Sequence, residues 1–273
     1  MSKNNHRKAF ISATGSYLPK KIVTNDDLSK TVDTSDEWIY TRSGIKKRHI
    51  AASGELTSDL AKNACDDLFS KSNVKAEDVE MIVVATTSPD LTFPSTATIL
   101  QSKIKAKNAF AFDVQAVCSG FVYALSVAES YISSGKVSNA LVVGSETLSR
   151  IVDWKDRNTC VLFGDGAGAV LLETTDDEDR GILASKLRSD GELVDILKTS
   201  GGPSLSKESG FIEMAGKEVF KHAVSKMSEV VMESLQEAGV TKDDINLLVP
   251  HQANVRILDS VAKKLELDPE KVI

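Results

Sequence analysis

The sequence predicts an α/β fold made of two pseudo-symmetric halves, and three observations lead there. Strand and helix patterns alternate almost throughout the chain. Short apolar runs at residues 81–85, 109–114 and 140–144 have the length and composition of buried strands in a mixed or parallel sheet. A segment also recurs: Val74-Lys-Ala-Glu-Asp-Val-Glu-Met-Ile-Val-Val aligns with Val240-Thr-Lys-Asp-Asp-Ile-Asn-Leu-Leu-Val-Pro, setting Asp78 against Asp244 and Val79 against Ile245. Each copy follows an amphipathic helix and leads into another helix, opening on Ile99-Leu100 in one case and Ile257-Leu258 in the other. The halves are expected over residues 1–175 and 176–273.

Taken in order, Ala9 to Thr14 reads as a strand, and Thr24 as the N-cap of a short helix over Asp26 to Lys30. Thr57 or Ser58 is expected to cap a helix reaching Ser70, because Leu60, Ala61, Ala64, Leu68 and Phe69 fall at helical spacing. The strand Met81-Ile-Val-Val-Ala-Thr leads to a helix around Ala97 to Lys103. A strand over Ala109 to Val114 follows, then a helix over Ser119 to Ser134 with Gly135 just past its end, then the strand Ala140-Leu-Val-Val-Gly. The acidic run Asp176 to Asp179 reads as a solvated turn, and a long helix spans Ala215 to Ala238 and stops at Gly239. In the second copy Leu247-Leu-Val is the expected buried strand, and Asp268-Pro-Glu-Lys-Val-Ile273 begins the next one, so the second half is expected to lack its final strands.

Composition narrows the function. No apolar stretch reaches the roughly 18 residues of a membrane helix, and Met1-Ser-Lys-Asn-Asn-His-Arg-Lys lacks the apolar core of a secretory signal. Three widely spaced cysteines make neither a disulfide framework nor a zinc spacing, which points to a reducing, cytoplasmic setting and no metal. A net charge of −6 argues against nucleic acid as a partner.

Two residues carry the chemistry. Cys118 falls where a strand pattern hands over to a helical one, and a thiol at a helix N-terminus faces unpaired N–H groups that favour thiolate. His251 follows the apolar run Leu247-Leu-Val-Pro and enters a polar turn, so it occupies the C-terminal end of a strand, where α/β folds gather function. The repeat makes these strand ends equivalent, and a Cys/His pair suits thioester chemistry. Cys65 and Cys160 read as buried apolar residues.

Around these residues the chain resembles the thiolase-fold condensing enzymes, most closely the β-ketoacyl-acyl carrier protein synthase III family. The segments that carry the likeness begin with Gly15-Ser-Tyr-Leu-Pro, Asp33-Thr-Ser-Asp-Glu-Trp-Ile, Thr41-Arg-Ser-Gly-Ile and Arg48-His-Ile. They continue through Val83-Val-Ala-Thr-Thr-Ser, Phe93-Pro-Ser, the Cys118 region, Leu141-Val-Val-Gly-Ser-Glu and Phe163-Gly-Asp-Gly-Ala-Gly-Ala. Met214-Ala-Gly, Glu218-Val-Phe and Val249-Pro-His-Gln-Ala-Asn complete the set. The resemblance implies a thiolase-like fold in α-β-α-β-α layers. It implies an acyltransferase that starts type II fatty acid biosynthesis by decarboxylative condensation of an acyl-CoA, expected to be acetyl-CoA, with malonyl-acyl carrier protein.

By the same resemblance Cys118 takes the acyl group and His251 polarises the malonyl thioester oxygen. Thr34, Trp38, Arg42, Arg157 and Asn254 bind coenzyme A, which is a substrate, so no cofactor is expected. Lys221, Arg256, Lys263 and Lys264 dock the carrier protein, and Phe93 reaches across a homodimer to close the acyl pocket. The family's catalytic asparagine and the glycine-rich segment of its oxyanion hole fall beyond Ile273, so impaired turnover is expected. The alternatives are a specialised-pathway condensing enzyme of the same fold, or a silent relative that binds coenzyme A or a partner subunit.

Overall fold

A computed structural model describes residues 7–177 and 179–273. Most of the polar start and Glu178 of the acidic run lie outside the described residues. Contacts divide the chain into two compact units. The first holds the residues up to Lys21 with His49–Thr147 and Asp165–Leu183; the second holds Ile22–Arg48, Leu148–Gly164 and Ala184–Ile273.

The first unit is a five-stranded mixed sheet between helices. Its strands are β1 (Lys8–Tyr17), β4 (Met81–Ala85), β5 (Phe110–Val114), β6 (Asn139–Thr147) and β7 (Asp165–Thr175), in the order β1-β7-β6-β4-β5. β4 runs parallel to both β5 and β6, while β7 is antiparallel to β1 and β6. Every residue of β4 is buried, and alternation along it decides which helix each side chain meets. Ile82 and Val84 pack with α3 (Thr57–Phe69) and α4 (Thr96–Ile104), through Ala61, Leu68 and Leu100. Met81, Val83 and Ala85 pack on the other face with α5 (Gly120–Ser133), through Ala124, Ala128 and Ile132.

The expected cap of α3 is not made. Leu56 occupies the N-cap position without a side-chain cap, because the candidate hydroxyls are engaged elsewhere. Thr57 Oγ1 donates to the Ser88 carbonyl at 2.5 Å and pairs with Thr147 Oγ1 at 2.8 Å, and Ser58 Oγ donates to Asp90. Asp59 serves the helix start instead, accepting from the Leu56 N–H at 2.9 Å.

The second unit is mainly helical. It contains α1 (Asn25–Ser29), α2 (Asp36–Ser43), α6 (Gly216–Ala238), α7 (Val255–Leu265) and a small hairpin of β8 (Leu197–Thr199) with β9 (Ile212–Met214). Two further strands, β2 (Lys21–Thr24) and β3 (Lys47–Ile50), pair with each other as the chain passes between units. Thr24 caps α1 as expected, its Oγ1 accepting from the Asp27 N–H at 3.1 Å. One apolar cluster joins Leu28, Ile39, Cys160, Val161 and Ile212; another joins α7 (Ile257, Val261, Leu265) to α6 (Phe220, Val224, Met227).

The internal repeat reappears as a matched pair of short 3₁₀ turns. Ala76–Asp78 and Lys242–Asp244 each end in an aspartate whose carboxylate accepts the N–H three residues earlier, at 3.3 Å and 2.8 Å. After the turns the copies diverge. Residues 247–249 form no buried strand: Leu248 makes a single parallel bridge to Val272, while Leu247 and Val249 are 57% and 70% exposed. Its N–H and C=O pair with the Lys271 carbonyl and the Ile273 N–H, and among the described residues no second strand flanks it as β5 and β6 flank β4.

Candidate active site

The candidate residues divide between the units: Cys118 and Phe93 belong to the first, the remainder to the second. Cys118 is centred in a 3₁₀ turn, Val117–Ser119, between the end of β5 and the start of α5. Val117 enters the turn at φ +48°, a conformation that a β-branched residue rarely adopts and that clusters at functional positions. The turn is held from both sides. A Cβ at Gly120 would lie 3.3 Å from the Ala85 Cβ at the end of β4, and Gln115 Nε2 donates to Thr87 Oγ1 at 3.2 Å. Cys118 is the one cysteine residue of the three that is exposed; Cys65 and Cys160 are buried, as expected.

The expected ionisation of Cys118 is not found. Its pKa is raised, first by loss of hydration around the sulfur, against a lowering contribution from its own N–H, and further by the negative field of Glu146. Dipole and N–H donors at a helix start lose to a poorly hydrated sulfur beside an acid. Glu146, not singled out from the sequence, is near enough for its charge to act on the thiol. Its carboxylate accepts from the Thr87 N–H at 2.8 Å, the Ser88 N–H at 3.1 Å and the Ser88 hydroxyl, and burial raises its own pKa.

Phe93 is 83% exposed on the connection between β4 and α4. That connection is pinned at both ends. Asp90 accepts from the Ser58 N–H at 2.9 Å, and Asp113 accepts from the Thr96 and Ala97 N–H groups at 2.8 Å and 2.7 Å, supplying α4's first turn with an anion.

In the second unit, α2, the turn around Asn158–Leu162, α6 and α7 line an open cavity of about 680 Å³. Trp38, Arg42, Asn254 and Arg256 line it, together with Phe220 and Lys217, which the sequence reading passed over. Gly44 makes this convergence feasible. It closes α2 at φ +79°, and a Cβ there would sit 3.2 Å from the Val255 Cβ at the start of α7. Asn254 caps α7, its Oδ1 accepting the Arg256 N–H at 2.8 Å. Arg42 and Arg157 both stack on the Trp38 indole, 4.6 Å and 5.1 Å from its centroid. Thr34 Oγ1 is buried without a hydrogen-bond partner.

His251 stands in the turn before α7, and loss of hydration around the ring lowers its pKa. The imidazole is therefore neutral near pH 7, and one ring nitrogen carries a proton it can donate. Lys221, Arg256, Lys263 and Lys264 are all exposed, the first on α6 and the rest on α7. Lys217, four residues before Lys221, extends the basic face toward the cavity. The described residues contain no cluster of His, Cys, Asp or Glu able to hold a metal, and no helix long and apolar enough to cross a membrane.

The chain as a whole is similar to proteins of one known family. Residues 112–191 match the family 3-oxoacyl-[acyl-carrier-protein (ACP)] synthase III, and residues 235–273 match its C-terminal part. The chain is 52% identical to the β-ketoacyl-[acyl-carrier-protein] synthase III of Ehrlichia chaffeensis, covering 98% of this chain and 84% of that one. It is 55% identical to the protein of that name from Wolbachia pipientis wMel, over 97% and 83%. The crystal structure of 3-oxoacyl-[acyl-carrier-protein] synthase III from Aquifex aeolicus VF5 superposes with a TM-score of 0.91 at 48% identity, over 97% of this chain and 83% of that one. The thiolase-like α/β fold expected from the sequence is borne out by this likeness. The comparisons lend no support to the expectation of impaired turnover.

Proposed function

Because the chain belongs to the β-ketoacyl-acyl carrier protein synthase III family, we propose that it condenses an acyl-CoA, acetyl-CoA in the first instance, with malonyl-acyl carrier protein to begin fatty acid synthesis. The observation that carries the reading is the Cys118 turn: the one exposed cysteine residue of three, at the head of a helix, on a turn entered through a strained Val117.

Cys118 Sγ attacks the thioester carbonyl carbon, the carbon–sulfur bond to coenzyme A breaks, and the thiol proton leaves with the departing coenzyme A thiolate. The raised Cys118 pKa means the resting residue is a thiol, and the proton moves as the bond forms. Malonyl-acyl carrier protein then loses CO₂, and the electron pair of the broken C–C bond passes into a thioester enolate. His251, neutral through its lowered pKa, donates N–H to the enolate oxygen, which suits stabilisation of charge better than proton removal. The enolate carbon attacks the acyl-cysteine, the Cys118 thiolate departs and takes a proton from solvent, and 3-oxoacyl-acyl carrier protein is released.

Trp38 and Arg157 flank the adenine of coenzyme A, with Thr34 and Arg42 at the same nucleotide; an indole face and a guanidinium plane both stack on π-systems. Asn254 lines the path of the pantetheine arm. Lys221, Arg256, Lys263 and Lys264 receive the acidic carrier protein, supported by their common exposure on α6 and α7. Phe93 closes the acyl pocket of a second copy in a homodimer, a role its exposure suits. A cytoplasmic setting follows from these substrates and from three unpaired cysteines.

The test is incubation with acetyl-CoA followed by intact-protein mass measurement, then addition of malonyl-acyl carrier protein. One acetyl group should appear on the parent chain, none on Cys118→Ala, and the adduct should be discharged as a 3-oxoacyl product. An unmodified parent chain would sink the reading.

A further inference from the structure

Arg48 is 3% exposed, and among the ion pairs of the described residues none involves it. A buried guanidinium without a touching carboxylate is costly, so its contacts call for an account. They join two walls of the Trp38 cavity. Nε and Nη2 both donate to the Val161 carbonyl, at 3.0 Å and 2.5 Å. Nη1 donates to Asn25 Oδ1 at 2.8 Å. Asn25, 1% exposed, passes the connection on: its Nδ2 donates to Asp36 Oδ1 at 2.7 Å and to the Ile45 carbonyl at 2.8 Å.

Val161 lines the cavity with its neighbours Asn158 and Leu162. Asp36 is the first residue of α2, and Ile45 follows α2's closing glycine, so Asn25 grips both ends of the helix that carries Trp38 and Arg42. The fork of Arg48 fixes one wall through a carbonyl and the other through an amide. The Asp36 carboxylate, one relay away, supplies the opposite charge. Lysine cannot reproduce this, because a single ammonium lacks the planar pair of donors.

We propose that Arg48 and Asn25 are positioning residues for the nucleotide end of the coenzyme A site, setting the spacing between the α2 wall and the Asn158–Leu162 wall. The proposal rests on the coenzyme A reading above. It predicts that the Arg48–Asn25–Asp36 relay governs affinity for coenzyme A while leaving the Cys118 turn, in the other unit, unchanged.

The test titrates coenzyme A alone into the full chain by calorimetry, with KM and kcat for acetyl-CoA and the rate of Cys118 alkylation by iodoacetamide measured alongside. Arg48→Lys and Asn25→Ala should each weaken coenzyme A binding by about tenfold, the loss of roughly one buried hydrogen bond to a charged group. KM should rise more than kcat falls, and the alkylation rate should hold. Should the buried variants fail to fold, Asp36→Ala cuts the relay at its exposed end and should weaken binding in the same direction. Folded variants that bind coenzyme A within about twofold of the parent would overturn the proposal alone. A parent chain that does not bind coenzyme A would overturn the underlying reading and the proposal with it.

Discussion

The guanidinium of Arg157 lies on the indole of Trp38, 5.1 Å from the ring centroid, while its Nη1 donates to the Asp33 carbonyl at 2.7 Å. The backbone bond holds the cation beside the ring. Its ion pair with the fully exposed Asp33 carboxylate, at 3.3 Å, adds little because water screens it.

This geometry makes Trp38 a reporter of the nucleotide. Trp38→Ala and Arg157→Ala should each weaken coenzyme A binding by roughly tenfold, the scale of one base stacked on an aromatic or guanidinium plane. Coenzyme A should also change the tryptophan emission of the parent chain. Trp38→Phe should abolish that change, since the only other indole, Trp154, is tied to the Ser149 carbonyl at 3.2 Å.

Cys118 yields a prediction about pH. With its thiol pKa raised, alkylation by iodoacetamide should have its midpoint above the roughly 8.5 of an ordinary cysteine. Part of the shift is the field of Glu146, so Glu146→Gln should move the midpoint down while leaving Cys118 alkylatable. A midpoint unchanged by that substitution would show that hydration alone sets the thiol.

Much of this was legible in the sequence, and the failures have local causes. β4 could be read because an unbroken apolar run has to be covered on both faces. The Cys118 turn could be read because the periodicity changes there from two to 3.6. The cap of α3 was misassigned because Thr57 and Ser58 spend their hydroxyls on Ser88, Thr147 and Asp90, partners that only the fold brings near. Glu146 and Arg48 both stand inside recognisable segments, but their importance lies in contacts to Ser88 and Val161, 58 and 113 residues away. The Cys118 ionisation failed for the same reason, since the helix start is local and visible whereas the hydration of the sulfur is not.

Lys263, on the basic face of α7 and outside the cavity lining, should act on one substrate only. Charge reversal at Lys263 should raise KM for malonyl-acyl carrier protein and flatten its dependence on ionic strength, because exposed charges steer association and are screened by salt. Acetyl transfer to Cys118 should be unaffected by Lys263→Glu, which lies outside the cavity lining. Equal loss of both reactions would show that the substitution disturbs the fold instead.

Gly15 supplies a stability test. A Cβ on this β1 residue would lie 2.2 Å from the Ala64 carbonyl and 2.4 Å from the Leu68 N–H, so the strand meets the backbone of α3 with no room for a methyl. Gly15→Ala should destabilise the protein by roughly 1–3 kcal/mol, the cost of forcing atoms into a packed interior, and lower Tm in proportion. Gly168→Ala, where a Cβ would meet nothing within 4 Å, is the matched control on the neighbouring strand and should leave Tm nearly unchanged.

His251 gives the sharpest separation of the two half-reactions. Removing its N–H in His251→Ala should leave acetyl transfer to Cys118 intact and slow malonyl decarboxylation by roughly a hundredfold to a thousandfold, the loss of one preorganised donor. The pH dependence follows from the lowered pKa. The useful form is the neutral ring, and burial keeps it neutral below the ordinary histidine value. As pH falls through about 6.5, decarboxylation should therefore hold, declining only at lower pH when the folded-state imidazole is protonated. Over that interval the unfolded chain binds a proton that the folded chain refuses, so folding stability falls with falling pH and stops falling once the folded histidine is also charged. His251→Asn retains an N–H donor without a titrating ring. It should preserve part of the decarboxylation rate and lose the acid limb, an outcome that a purely structural histidine would not produce.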